Sequence, residues 1–169
     1  MSHRFYFEGT LEPDELVLEG SEAHHLLHVL RLRVGDTVEV FNGTGAEADA
    51  VITNTSRKNV DLKVTARRDL QANSQIPLIL ATAVPKGDRF RWLVEKAAEL
   101  GVTRLVPLIT ERSSVDPGEN RLKKLQQTIV SAAKQSGQTR LMKIAPLQKW
   151  EDFLDEVSQT DSRTLIADP

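Results

Sequence analysis

The sequence predicts an α/β protein in two parts: a small, strongly curved β-sheet or barrel, then a parallel sheet interleaved with helices. Three observations carry this. From Arg4 to Ala66 the apolar residues mostly alternate, which is the period of half-buried strands. From Leu78 onward apolar runs alternate instead with segments of helical period, the grammar of a parallel sheet covered by helices. Between the two, Gln71-Ala72-Asn73-Ser74-Gln75 is uncharged, polar and non-periodic, so the division falls at 1–70 and 77–169 with a linker at 71–76.

In the first part, strands are predicted around Phe5 and Phe7, Leu16 and Leu18, Val38 and Val40, Ala50 and Ile52, and Val60, Leu62 and Val64. Turn residues separate them at Glu12-Pro13-Asp14, Gly35-Asp36, Asn42-Gly43-Thr44-Gly45 and Lys58-Asn59. One helix interrupts the pattern. Ser21 can cap it, Ala23, Leu26, Leu27 and Leu30 form its apolar face, His24, His28 and Arg31 lie on another, and Gly35 follows its end near Leu32. In the second part the spacing predicts a strand over 78–84 buried on both faces, a helix over 88–100 with Gly101 beyond its end, and a strand over 105–109. A helix over 120–136 stopped by Gly137, a short strand near Ile144, a helix over 150–157 and a strand over 164–167 follow. That last strand ends at Asp168-Pro169, where the ligand-side loop of an open parallel sheet would begin, so the domain is expected to be cut short.

Composition narrows the function classes. With 40% hydrophobic and 27% charged residues the chain is expected to build an ordinary core. It has no Cys, which excludes disulfides, thiolate metal sites and a cysteine nucleophile. The longest apolar run, 76–84, is far shorter than the roughly 20 residues of a membrane span, and no signal peptide opens the chain, so a cytoplasmic address is expected. The net charge of −2 hides a segregation: residues 1–70 sum to −4, residues 84–143 to +6 and residues 144–169 to −4. The basic excess falls on two helices and their loops, which suits a phosphate-facing surface as well as it suits solvated helix faces.

Candidate chemistry is sparse. His24 and His28 share a helix face, but with no third ligand and no HExxH glutamate they do not make a metal site, and a surface or RNA-facing role is the better reading. Arg31 and Arg33 can be phosphate contacts or charges favouring a helix C-terminus. Asn42-Gly43-Thr44-Gly45 resembles part of a phosphate loop but lacks a following Lys-Ser/Thr, and reads as a β-turn. Pro85-Lys86-Gly87-Asp88-Arg89 lies between a parallel strand's carboxyl end and a helix, where Lys86 and Arg89 are poised to meet an anion and Asp88 can cap. Glu111-Arg112-Ser113 occupies the equivalent edge after the next strand. Glu95, Lys96 and Glu99 read as exposed helix charges or acid–base groups, and Lys134-Gln135-Ser136-Gly137 as a helix stop. No Ser-His-Asp set, catalytic carboxylate pair or dinucleotide fingerprint is present.

Taken in order, Arg4-Phe5-Tyr6, His28-Val29-Leu30-Arg31-Leu32-Arg33-Val34-Gly35-Asp36, Lys86-Gly87-Asp88-Arg89, Glu95-Lys96-Ala97-Ala98-Glu99-Leu100-Gly101-Val102, Pro107-Leu108, Glu111-Arg112-Ser113 and Ala132-Ala133-Lys134-Gln135-Ser136-Gly137 resemble the RsmE family. Its members are small-subunit (16S) ribosomal RNA uridine-N3 methyltransferases of the SPOUT class. The resemblance implies a PUA-like RNA-binding β-barrel over 1–70 and, over 77–169, the N-terminal part of a SPOUT methyltransferase domain whose knot is C-terminally incomplete. It implies S-adenosylmethionine as methyl donor, no metal, a homodimer, and 16S ribosomal RNA or the small ribosomal subunit as partner. Three departures stand out. The family's Gly-Pro-Glu-Gly-Gly loop and later knot segments have no counterpart, Lys134 stands where an acidic residue is frequent, and Gln138 stands where Arg is common, with Arg140 nearby.

The site residues this implies are Arg4, His28, Arg31, Arg33, Lys86, Arg89, Arg112 and Arg140 for RNA, with Arg4 the leading substrate-positioning candidate. Asp168 and Pro169 would touch the edge of the cofactor pocket, and no catalytic base is assigned. Uridine N3 is a poor nucleophile until it loses its proton, so catalysis needs alignment with the methyl carbon and groups that stabilise charge on the adjoining carbonyls. Without the later loops the 169 residues alone are expected to be inactive. The alternative is an RNA-binding module without methyltransferase activity.

Overall fold

The computed structural model describes residues 3–69, 76–111, 113 and 118–167. The first sheet contains β1 (His3–Tyr6), β2 (Glu15–Leu18), β3 (Thr37–Phe41), β4 (Ala46–Thr55) and β5 (Val60–Asp69), in the order β1-β3-β4-β5-β2. β1 runs parallel to β3 and every other pairing is antiparallel. The β4–β5 register shifts between Asp49 and Ala50 and again between Ile52 and Asn54. Such bulges bend long strands and increase their twist, which curls the sheet into a half-barrel. The alternating residues Phe5, Leu16, Leu18, Val38, Val40, Ile52, Val60 and Leu62 fill its concave side. Ala23 and Leu26 of the intervening helical segment join the same cluster.

That segment differs from the expected helix. α1 (Gly20–His24) passes directly into π-helical turns over His25–Leu30. Ser21 is not the cap: Glu19 holds that position, and its carboxylate accepts instead from Asn59 Nδ2 at 3.2 Å. The segment ends at Arg31, whose φ of 56° is left-handed and whose N–H reaches Leu26 O. Gly35, at φ 95°, serves the entry to β3 by donating to Ile52 O at 2.8 Å. The wider winding leaves the polar side as expected, with His24, His28 and Arg31 exposed.

The second unit is β6 (Ile79–Ala83), α2 (Arg89–Glu99), β7 (Arg104–Ile109), α3 (Gly118–Ser136), β8 (Lys143–Ile144), β9 (Gln148–Lys149) and α4 (Trp150–Ser158). β6, β8 and β9 all pair parallel to β7. Period two in β7 sends Leu105 to the α2–α3 side, among Phe90, Val94, Leu125 and Ile129, and Val106 and Leu108 to the α4 side, against Phe153. α2 stops as the Gly101 signal predicts: Gly101 N–H donates to Ala98 O and Val102 N–H to Ala97 O, the paired bonds of a Schellman end.

Two strand expectations need correction. β6 is not buried on both faces, since it pairs only with β7 among the described residues and leaves Leu78 and Ile79 about half exposed. Residues 164–167 form no strand; Leu165 and Ile166 are exposed, because alternation needs a hydrogen-bonding neighbour and none of the described strands provides one. β9 was not anticipated from the sequence, being two residues long. Residues 71–75 of the predicted linker lie outside the described residues.

Candidate nucleic-acid interface

The half-barrel meets the second unit through its convex face. In β1 and β3 the residues opposite the core set are Arg4, Tyr6, Glu39 and Phe41, brought level by the register Arg4↔Glu39 and Tyr6↔Phe41. Arg4 Nε lies 2.8 Å from Glu39 Oε1, off the line of a hydrogen bond, while Nη2 reaches Glu47 Oε2 at 3.4 Å. The Arg4 guanidinium sits 4.5 Å from the Phe41 ring centroid, and its side chain is only 11% exposed. Arg68 completes the row with bonds of 2.7 Å to Glu47 and 2.6 Å to Asp49. These bonds, Asp49's first, hold its guanidinium above the ordinary arginine range. Arg4 is therefore ion-paired with two carboxylates and stacked on an aromatic ring, with Gly137 beside it.

Two further contacts join the units. Lys134, on the last turn of α3, donates to both oxygens of Glu22 at 2.8 and 3.1 Å. Glu22 Oε2 also accepts from the Tyr6 N–H at 3.1 Å. Lys134 Nζ lies 5.1 Å over the Phe5 ring. The Asn42–Gly45 segment is the β-turn the sequence predicts, organised by Asn42 Oδ1, which accepts from Thr44 N–H at 3.0 Å and Thr44 Oγ at 2.8 Å. Its backbone also docks on the segment after α3: Gly45 N–H donates to Thr139 O, and Leu141 N–H donates to Gly43 O at 2.9 Å. A Cβ on Gly45 would stand 2.7 Å from the Arg140 guanidinium, so the absence of a side chain admits that arginine.

The sequence-predicted residues thus divide. Arg4 is enclosed at the seam, and Arg140 packs across the 42–45 turn while remaining exposed. His28 lies with its ring centroid 4.7 Å from that of His24. Arg31 and Arg33 are exposed, and the Arg33 N–H is tied to Asp36 Oδ2 at 2.6 Å. Lys86 and Arg89 are exposed on the turn that leads from β6 into α2, with Gly87 at φ 65° allowing the bend. Asp88 takes the N-cap position of α2 without a side-chain cap bond. Trp92, one turn on, is 63% exposed. Arg112, Asp168 and Pro169 lie outside the described residues. Lys96 is held by Glu99 at 2.9 Å and Glu95 at 3.3 Å, and those bonds, Glu99's first, raise its pKa; the trio is a half-buried helix ion cluster. Reasoning from sequence missed Glu22, since a glutamate in a first helical turn has an ordinary reason to be there. Nothing local distinguishes Lys134 from a helix-ending charge.

Two open grooves lie on the surface of the described residues. The larger, about 980 Å³, runs between the half-barrel and α3 and is lined by Tyr6, Glu8, Glu22, His25, Gln126, Gln127, Ser131 and Lys134. Burial, with Glu8 adding, pushes the Tyr6 phenol above its ordinary value. The second, about 350 Å³, lies between α1 and the β4–β5 turn. Neither touches the strand ends at 84–89 or 110–113. Among the described residues no cluster of three or more His, Asp or Glu could hold a metal ion, and no helix is long and apolar enough to cross a membrane.

Residues 72–169 match the family model of an RNA methyltransferase domain, which is more than half of the chain. The chain belongs to this RNA methyltransferase family. Residues 18–65 match, in addition, the RNA methyltransferase PUA domain, in agreement with the curled sheet. Family relatives include the ribosomal RNA small subunit methyltransferase E of Synechocystis, 30% identical over 89% of this chain and 49% of that protein. The Bacillus subtilis protein of the same name is 25% identical over 94% of this chain and 65% of its own length. Among solved structures, the Neisseria gonorrhoeae ribosomal RNA small subunit methyltransferase E bound to S-adenosyl methionine superposes with a TM-score of 0.79 at 27% identity, over 92% of this chain and 66% of that one. The chain thus spans about half to two thirds of the length of these family members.

Proposed function

We propose that this chain supplies the RNA-binding unit and the leading part of the catalytic unit of an S-adenosylmethionine-dependent methyltransferase that acts on a uridine N3 of 16S ribosomal RNA. The observation that carries this reading is the likeness to the S-adenosyl methionine-bound Neisseria protein across both units in one arrangement. It is supported by the order of the two family models along the chain.

In this reading the chain's own residues bind and orient RNA. Lys86 and Arg89 stand exposed at the carboxyl end of β6, where open α/β sheets place their ligands, and meet phosphates or the target base. His28, Arg31 and Arg33 approach the RNA from the half-barrel, and Arg140 from the seam. Arg112, outside the described residues, is a further RNA contact in this reading. Arg4, paired to Glu39 and Glu47 and beside Gly137, acts as a positioning residue that fixes the angle between the two RNA-binding surfaces. When bound, S-adenosylmethionine supplies the electrophilic methyl group. The protein works as a homodimer in the cytoplasm, where its ribosomal RNA substrate resides.

The test is methyl transfer by the whole natural polypeptide to small-subunit RNA from cells lacking this modification, read by nucleoside mass spectrometry. N3-methyluridine formed with wild type and reduced by Lys86→Ala or Arg89→Ala supports the reading. Labelled methyl incorporation that is absent, or that falls on another base, refutes it.

A further inference from the structure

We infer that the second groove is a phosphodiester-binding site, in which Arg57 and Lys58 of the β4–β5 turn act with His24 and His28 to grip the RNA backbone. The inference rests on the RNA-binding reading above and extends it from His24 and His28 to the β4–β5 turn, for which no RNA contact was predicted.

The groove brings together elements far apart in sequence: α1 with the π-helical turns on one side, and the turn between β4 and β5 on the other. Its volume, about 350 Å³, is near the lower end of the roughly 300–1,000 Å³ of sites that take a small molecule, and accommodates a nucleotide's sugar–phosphate. Arg57, Lys58, His24 and His28 are all exposed, and among the described residues neither Arg57 nor Lys58 has an ion-pair partner. Arg31, Arg33 and Lys63 of this unit likewise have no ion-pair partner among the described residues, but none of them lines this groove. Arg4, Arg67 and Arg68 are each matched to carboxylates, and residues 1–70 carry a net −4. The one carboxylate lining the groove, Glu19, already accepts from Asn59 Nδ2. The remaining groups are two full positive charges and two imidazoles that can donate N–H bonds, a set matched to phosphate oxygens and not to a cation. The pair of imidazoles, 4.7 Å apart, lacks the third ligand a metal would need.

The turn holds its shape without the two cationic side chains. Ser56 N–H donates to Asn59 O at 2.9 Å, and Asn59 N–H donates to Ser56 Oγ at 3.0 Å. Arg57→Ala/Lys58→Ala therefore removes charge while leaving the hairpin intact, which a thermal melt checks.

The experiment titrates the chain against a labelled fragment of small-subunit ribosomal RNA and an unrelated RNA of equal length, over a series of salt concentrations. For wild type, log Kd varies linearly with log salt. In the double variant the slope is expected to fall by about 1 to 2, and both RNAs to weaken by the same factor, since phosphate contacts carry no sequence information. Glu19→Gln, which keeps the acceptor for Asn59 but removes the negative charge, is expected to tighten binding, an effect that a purely structural role would not produce. If wild type binds and the double variant keeps its full slope, the groove is refuted while the RNA-binding reading stands. If wild type binds neither RNA, both fall.

Discussion

The bond between Glu22 and Lys134 tests whether the two units are locked as the structure shows. The perturbation is Lys134→Met, which keeps an unbranched apolar side chain and deletes the charge both beside Glu22 and over the Phe5 ring. The side chains are 18% and 20% exposed, so the pair is largely but not fully desolvated. The gross attraction of such a pair near a protein surface is about 4 kcal/mol, much of it offset by desolvation. Deleting the lysine leaves Glu22 with the Tyr6 N–H as its partner, and a carboxylate held by that bond cannot swing out to water. Together these set an expected loss of about 2 kcal/mol, or a fall in Tm of about 4–8 °C for a chain of this size.

The reverse deletion, Glu22→Gln, is expected to cost less. Its carbonyl still accepts from Tyr6, and a long lysine side chain can reach solvent with its ammonium while its stem stays packed. Denaturant unfolding of both single variants and the double variant gives the coupling directly, expected at about 1 kcal/mol or more. Effects that add to within about 0.5 kcal/mol would mean that the two groups do not interact in solution, and the reasoning would be refuted.

Gly43→Ala, at φ 77° and with its new Cβ 2.8 Å from Leu141, is expected to cost about 1–3 kcal/mol. Gly35→Ala, with open space around it, costs only the backbone strain, so Leu141→Ala should narrow the difference between the two glycine variants in a denaturant titration. Phe90, fully buried between the parallel sheet and its helices, should cost about 3–5 kcal/mol when truncated to Ala, measured by the same titration.

Arg104, with Gln148 adding, holds the Glu156 carboxyl below the usual range. A depressed carboxylate stabilises the fold above its unfolded value of about 4.3, and that contribution is lost as pH falls through the lowered folded value. Glu156→Gln should therefore be destabilised most above the carboxylate range, by less than about 1 kcal/mol because both partners are more than a third exposed, with the gap closing in acid. Urea unfolding at several pH values checks the sign.

Much of this protein was determined locally. Period-two alternation specified all five strands of the half-barrel, because one buried face imposes that period whatever the topology. Gly101 marked the end of α2, and Asn42 with its glycines marked a turn, because these residues satisfy backbone groups within a few positions of themselves. The polar face of the helical insertion was legible too, although its π-winding and its stop at Arg31 were not. The choice among i−4, i−5 and i−6 acceptors depends on how the segment meets the sheet. The burial of the 78–84 strand on both faces, and a strand over 164–167, were overread for a related reason: apolar content says that burial is wanted, while pairing depends on a neighbouring strand.

The site divides along the same line. The exposure of Lys86, Arg89, Arg31 and Arg33 followed from their places on turns and helix ends. Only the tertiary structure decided that Arg4 would be enclosed by Glu39 and Glu47, that Lys134 would meet a glutamate 112 residues earlier, and that Arg57 and Lys58 would face His24 and His28. A cation's sequence neighbours determine whether it reaches the surface. Which carboxylate neutralises it, or whether any does, is determined by how strands and helices distant in the chain are brought together.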